Sequence, residues 1–184
     1  LNLVYGVKKF ANFAHGDLLT LGAYVALAFL GAQRDLVRAT IIAILFVMAI
    51  GVVQEILIYA RLEGRGPVAP LVASVGVALV LQSSIAAYFG PNIVSYGIRY
   101  PDNIQILGGV ISANPLRDFI PLTVGFVSAI AILLYLKYAK LGKAMRATAD
   151  NRDLARVSGV NTRLVNWATW AFGGGSAAVA GVLV

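Results

Sequence analysis

Between Tyr138 and Arg163 an otherwise oily chain breaks into a basic stretch. It carries Lys140, Lys143, Arg146, Arg152, Arg156 and Arg163 against only Asp150 and Asp153, and long apolar runs flank it on both sides. A segment too charged to cross a bilayer, set between two runs that can cross, must lie on one side of it. Cytoplasmic loops carry the Lys/Arg excess, so the expected side is the cytoplasm. Composition agrees. The chain is 59% hydrophobic and 12% charged, where a soluble domain carries about 25% charged residues. That leaves too little polar surface to cover a soluble core. The net charge of +7 then reads as orientation charge on loops, and nucleic acid is not an expected partner. The chain has no cysteine, which excludes disulfides and thiolate metal sites.

A membrane-crossing helix needs about 20 mainly apolar residues. Residues 39–59, 68–89, 119–136 and 166–184 meet that requirement. Residues 18–30 form a shorter run, expected as a tilted or broken span, and residues 1–10 read as the tail of another. Alternation then puts Lys8, Lys9, Arg61, Arg65, Lys137, Lys140, Lys143, Arg146, Arg152, Arg156 and Arg163 inside. Arg34, Arg38, Arg99 and Arg117 fall outside, with the stretch 91–118. The size of that asymmetry supports the number and order of the spans. In the outer stretch, β-prone runs on either side of Gly108-Gly109 suggest a small hairpin, or an irregular loop capping the helices. The chain opens at Leu1 and stops at Val184 inside an apolar run, without a signal-peptide pattern. The expectation is an all-α, polytopic helical membrane protein. Residues 1–184 form one transmembrane domain, truncated at both ends.

Polar residues within the apolar runs are the candidates for function. Asn12, His15, Gly16 and Asp17 make a knot that reads as a capped turn at the membrane surface, with Asp17 as N-cap and Gly16 as the bend. His15 is the only histidine and has no carboxylate cluster beside it. It reads as a hydrogen-bonded structural side chain, with a ligand or proton relay as the sharper alternative. Glu55 lies inside a span, where a carboxylate is costly and invites a functional reading. Pairing with Arg61 is the expected structural resolution. Ser74, Gln82, Ser83 and Ser84 either line an aqueous path or bond between helices. Gly173, Ala177 and Gly181 repeat at i+4, a small-residue stripe for close packing. Gly173-Gly174-Gly175 beside it leaves a bend or gate open.

Within the basic stretch a short helix is expected. Asp150 or Asn151 caps it and Gly159 ends it in the left-handed conformation. Leu154 and Val157 share one face, and Arg152 and Arg156 another. Such a helix is too short to be stable alone in water, so it needs a surface: its own protein, anionic lipid or a partner. There is no P-loop, no H-E-x-x-H and no nucleophile elbow. Nothing reads as an active site, and the chain is not expected to be an enzyme.

Two motifs carry a resemblance. Asn12-Phe13-Ala14-His15-Gly16-Asp17-Leu18 with Gly22-Ala23-Tyr24 resembles the signature of branched-chain amino acid ABC transporter permeases. Leu141-Gly142-Lys143-Ala144-Met145-Arg146-Ala147, followed by Arg156-Val157-Ser158-Gly159-Val160-Asn161, resembles the family's cytoplasmic loop. The resemblance implies a permease of the bacterial or archaeal plasma membrane, paired with a second, homologous permease. It also implies two separate ATPase subunits and a periplasmic or extracellular solute-binding protein. ATP is then held by those partners, with no cofactor or metal in this chain. Residues 138–163 become the coupling loop, with Arg146, Asp150, Arg152, Asp153, Leu154, Ala155, Arg156 and Gly159 as its contact set. Asn12, His15, Gly16 and Asp17 take a structural or gating role. The implied cargo is a branched-chain amino acid or a related small amino acid or amide, and no substrate-contacting residue carries over. The competing class is an ion-coupled secondary transporter, which would need Glu55 or His15 to titrate.

Overall fold

The computed structural model describes residues 2–30, 35–90, 92, 94–97, 104–106, 111–113 and 119–184. In chain order they form α1 (Asn2–Lys8), α2 (His15–Phe29), α3 (Leu36–Leu57), a 3₁₀ turn (Tyr59–Leu62), α4 (Val68–Phe89), β1 (Ile104–Ile106), β2 (Ile111–Ala113), α5 (Ile120–Tyr138), α6 (Lys140–Asp150), α7 (Arg152–Val157) and α8 (Thr162–Leu183). The protein is a helical membrane protein. Among the described residues, three helical segments are long and apolar enough to cross a bilayer: Leu36–Leu62, Val68–Phe89 and Ile120–Tyr138. The two strands pair antiparallel with Ile106 opposite Ile111, as the hairpin expectation required. Gly108-Gly109, Arg34, Arg99 and Arg117 lie outside the described residues.

Local chemistry sets the helix ends. Asp35 caps α3 by accepting the Arg38 amide at 3.1 Å, and Gly90 stops α4 at φ 81°. Asn161 caps α8 through the Leu164 amide.

The core is the triangle of α2, α3 and α8, which pack on one another pairwise. Apolar association is weak in lipid, so close backbone approach has to supply the contact, and glycine allows it. A Cβ on Gly22 would lie 2.5 Å from Ala178 Cα, and one on Gly174 would lie 2.7 Å from the Val47 carbonyl. The stripe of Gly173, Ala177 and Gly181 is buried along this seam. α8 runs unbroken through Gly173-Gly174-Gly175, and a Cβ on them would crowd Val4, Val47 and Met48, so those glycines serve packing.

α8 is not among the three lipid-competent helices, although residues 166–184 read as a span. The reason is its position. Buried against α2 and α3, it carries Asn166, Thr169 and a run of glycines, which a lipid-facing helix would replace with large apolar residues. α5 is the opposite case: none of its residues is buried. It meets the rest near its end, where Leu136 joins the Met145 cluster and Tyr135 lies 4.8 Å from the Phe172 ring.

Candidate functional site

The polar knot lies midway along the bundle, with Asn12 buried, His15 and Asp17 half-buried and Gly16 exposed. Lys9 at φ 58° turns the chain out of α1. α2 then starts deep, with Leu18 packed on Val47 and Ala177, midway along α3 and well into α8. This is the broken span that the short run predicted. The helix begins at His15, with Ala14 in the cap position and no side-chain cap, so Asp17 is not the N-cap. It lies in the first turn, a favourable place for a carboxylate near a helix N-terminus, and accepts Gln82 Nε2 at 2.9 Å. Asn12 Oδ1 accepts the Ala14 amide at 3.1 Å and the Tyr59 hydroxyl at 3.4 Å. The Phe13 amide donates to Ser74 Oγ at 3.1 Å. Ser74 and Gln82 thus bond between elements, whereas Ser84 bonds Val80 within its own helix. Below the knot, Tyr59 stacks on Trp170 at 4.4 Å and Phe10 leans on Tyr59 at 5.2 Å.

One layer further toward the basic end, charge replaces aromatic contact. Lys8 Nζ lies 2.7 Å from Glu55 Oε1, with both side chains almost fully buried at 3% and 1% exposure. Glu55 is therefore paired across the bundle with Lys8; Arg61, the partner expected from chain proximity, points to solvent. Lys8 also reaches Glu63 Oε1 at 3.0 Å. The same oxygen accepts Arg152 Nη2 at 2.7 Å and Asn166 Nδ2 at 2.9 Å. Glu63 joins α1, the turn before α4, α7 and α8. Partial burial pushes its carboxyl pKa up, but hydrogen bonds from Arg152 and Lys8 and their charges outweigh that and hold it below its usual value.

The basic loop folds into two helices, one more than expected. α6 lays Gly142, Met145 and Thr148 inward, and Arg146 Nη2 meets the Lys137 carbonyl at 3.4 Å. A kink at Asn151 separates α7, and that residue, not Asp150, caps it by accepting the Leu154 amide at 3.0 Å. Ala155 is buried and Gly159 closes α7 at φ 85°. Asp153 and Arg156 are exposed. Leu154 and Val157 point outward, 64% and 86% exposed. Cavities of about 360 and 380 Å³ flank the Arg152–Glu63 bridge, and both residues line both cavities.

Lys8, Glu63 and Asn166 carry this network and none stood out in the sequence. Lys8 read only as orientation charge, and Glu63 and Asn166 drew no functional reading. Their partners lie 55, 89 and 103 positions away. The contacts place α1's end, the 3₁₀ turn and α7 at one end of the bundle, as alternation of the spans requires. Arg38 lies at the opposite end of α3.

Comparison with known proteins agrees with the family resemblance. The family described as branched-chain amino acid transport system / permease component matches residues 1–184. The high-affinity branched-chain amino acid transport system permease protein LivH of Salmonella typhimurium is 29% identical over 99% of this chain and 63% of its own length. The corresponding BraD protein of Pseudomonas aeruginosa is 27% identical over the same shares. The ribose import permease protein RbsC of Escherichia coli is 24% identical over 91% of this chain and 50% of its own. The chain therefore spans less than two thirds of the length of these relatives. No solved structure matches. The chain belongs to the family of permease components of branched-chain amino acid transport systems.

Proposed function

We propose that this chain is the membrane-embedded part of an ABC importer for branched-chain or related small amino acids, working by alternating access with separate ATPase subunits. The observation that carries the reading is α7. Its outer face presents Leu154 and Val157 to solvent, while its inner side is fixed to the bundle by Arg152 on Glu63. A six-residue helix with apolar residues turned outward and its back tied down suits a knob seated in a cleft of another subunit. Motion of that subunit then reaches the bundle through α7. ATP bound to the partners supplies the free energy by favouring one of the two states. A second, similar permease and a solute-binding protein on the far side complete the assembly. The polar knot around Asn12 and Asp17, at a helix break midway along the bundle, is the proposed gating element. An ion-coupled mechanism would draw on Glu55 or His15, and of these Glu55 is already paired with Lys8.

The test uses the full-length permease expressed with its ATPases. Leu154→Asp with Val157→Asp is expected to abolish copurification of a P-loop ATPase and uptake, while the permease still inserts. Unchanged copurification and uptake would remove the coupling role. Competition of leucine uptake by isoleucine, valine, amides and ribose then identifies the cargo. Competition by ribose alone would overturn the amino-acid assignment.

A further inference from the structure

Two arms lead from Glu63 to the start of α2. The first runs through Lys8, whose Nζ lies 3.0 Å from Glu63 Oε1 and 2.7 Å from Glu55 Oε1. Lys8 ends α1, and Lys9 follows at φ 58°, a left-handed conformation that a lysine keeps only where its surroundings fix it. Here they do. The Lys9 amide donates to the Tyr5 carbonyl at 2.8 Å, and Phe10 is buried against Tyr59 and Trp170, 5.2 and 6.5 Å from their rings. The second arm is Tyr59, which opens the 3₁₀ turn that Glu63 closes. Its hydroxyl donates to Asn12 Oδ1 at 3.4 Å. Both arms meet at Asn12, whose Oδ1 also accepts the amide of Ala14, the cap residue of α2. Beyond that point the Phe13 amide donates to Ser74 and Gln82 donates to Asp17, which joins the start of α2 to α4.

We infer that Glu63 is a positioning residue that passes a displacement of α7 to the start of α2, with the segment from Lys8 to Asn12 as the connecting rod. The inference rests on the proposed seating of α7 in an ATPase subunit and adds the route by which its motion reaches the proposed gate. The two contacts of Glu63 differ in stiffness. The Arg152 and Glu63 side chains keep 29% and 33% of their surface exposed, and a salt bridge that wet is remade at little cost. It can pivot as α7 turns. Lys8 is almost fully buried with Glu55, where parting the pair strands a charge. That link moves as a unit. The chain itself offers a different route, from α7 through Gly159 into α8, which packs on α2. That route bypasses Glu63, so removing the Glu63 contacts separates the two.

The test uses the full-length permease assembled with its ATPases and binding protein in nanodiscs. Spin labels on Phe13→Cys and Val37→Cys, both exposed, measure the distance from the start of α2 to the far end of α3. Hydrogen exchange of the α7 amides reports α7 itself. Both are read without nucleotide and with ATP trapped by vanadate, and both are expected to change on trapping. In Arg152→Ala and in Glu63→Ala the change at α7 should remain and the distance shift should be lost. Leucine uptake per ATP hydrolysed should fall about tenfold. Glu63→Gln, which keeps an acceptor without the charge, should fall between. Arg61→Ala, an exposed arginine of the same turn, should keep the full shift. Arg152→Ala removes only the wet end of the route, so it decides the matter if Glu63→Ala fails to fold. A distance shift that persists in Arg152→Ala, or an equal loss in Arg61→Ala, would overturn the relay and leave the coupling role of α7 standing. An α7 that does not respond to trapping in the unmodified complex would overturn the coupling role, and the relay with it.

Discussion

At the scale of single residues, the decisive fact is that Lys8 neutralises Glu55 where neither side chain meets solvent. A buried pair is a weak source of net stability, but removing one partner strands the other charge. Lys8→Met is therefore expected to destabilise the protein by about 3–5 kcal/mol, and Lys8→Met with Glu55→Leu to recover most of that loss. Denaturant titration of the detergent-solubilised full chain reads both, and a double variant as unstable as the single one would refute the pairing. Glu63 makes a pH prediction. Its folded value lies below 4.5, so its contribution is complete above the unfolded value and is lost as pH falls through the lower, folded one. Protection of the α7 amides against hydrogen exchange, corrected for intrinsic rate, should persist through the usual glutamate range and fall only below it. In Glu63→Gln that acid step should be absent. The sequence showed Glu55 as an anomaly because a carboxylate in an apolar run is visible in one dimension. It could not show Lys8 as the partner: the two are 47 positions apart, and Arg61 was the basic residue nearest in the chain.

At the scale of elements, what could be read locally was read well. Helices α3, α4 and α5 follow from length and apolarity, and Gly159 ends α7 because only a residue without Cβ takes a positive φ freely. The start of α2 was misread for a physical reason. Asp17 has the chemistry of a cap, but its carboxylate is engaged by Gln82 from α4, and the helix extends past it to His15. The glycine seam gives the sharpest element-level prediction. Gly174→Ala puts a Cβ 2.7 Å from the Val47 carbonyl, whereas Gly76→Ala meets nothing within 4 Å. The first should cost about 1–3 kcal/mol through forced separation of α3 and α8, and the second should cost nothing, since alanine is the better helix former. Equal melting temperatures for the two variants would show that the seam tolerates bulk.

At the scale of the whole molecule, the question is which end faces the cytoplasm. The chain contains no cysteine, so single-cysteine variants report without background. Val37 and Val157 are both strongly exposed and lie at opposite ends of the bundle. In intact cells expressing the permease without its ATPases, a membrane-impermeant maleimide should label Val37→Cys and spare Val157→Cys, and opening the cells should expose the second. Labelling of Val157→Cys in sealed cells would invert the topology and with it the site of ATPase docking.

By itself the sequence determined the class of solvent, the extents of the apolar helices α3, α4 and α5, and the family. Those depend on hydropathy and charge summed over short windows, and each window carries its own answer. Only the tertiary structure decided that α8 is an inner helix, that α2 begins midway along α3, and that Glu63 gathers Lys8, Arg152 and Asn166 onto one oxygen. Those depend on which distant groups meet, and in a low-dielectric interior a charge takes whichever partner the packing brings within reach.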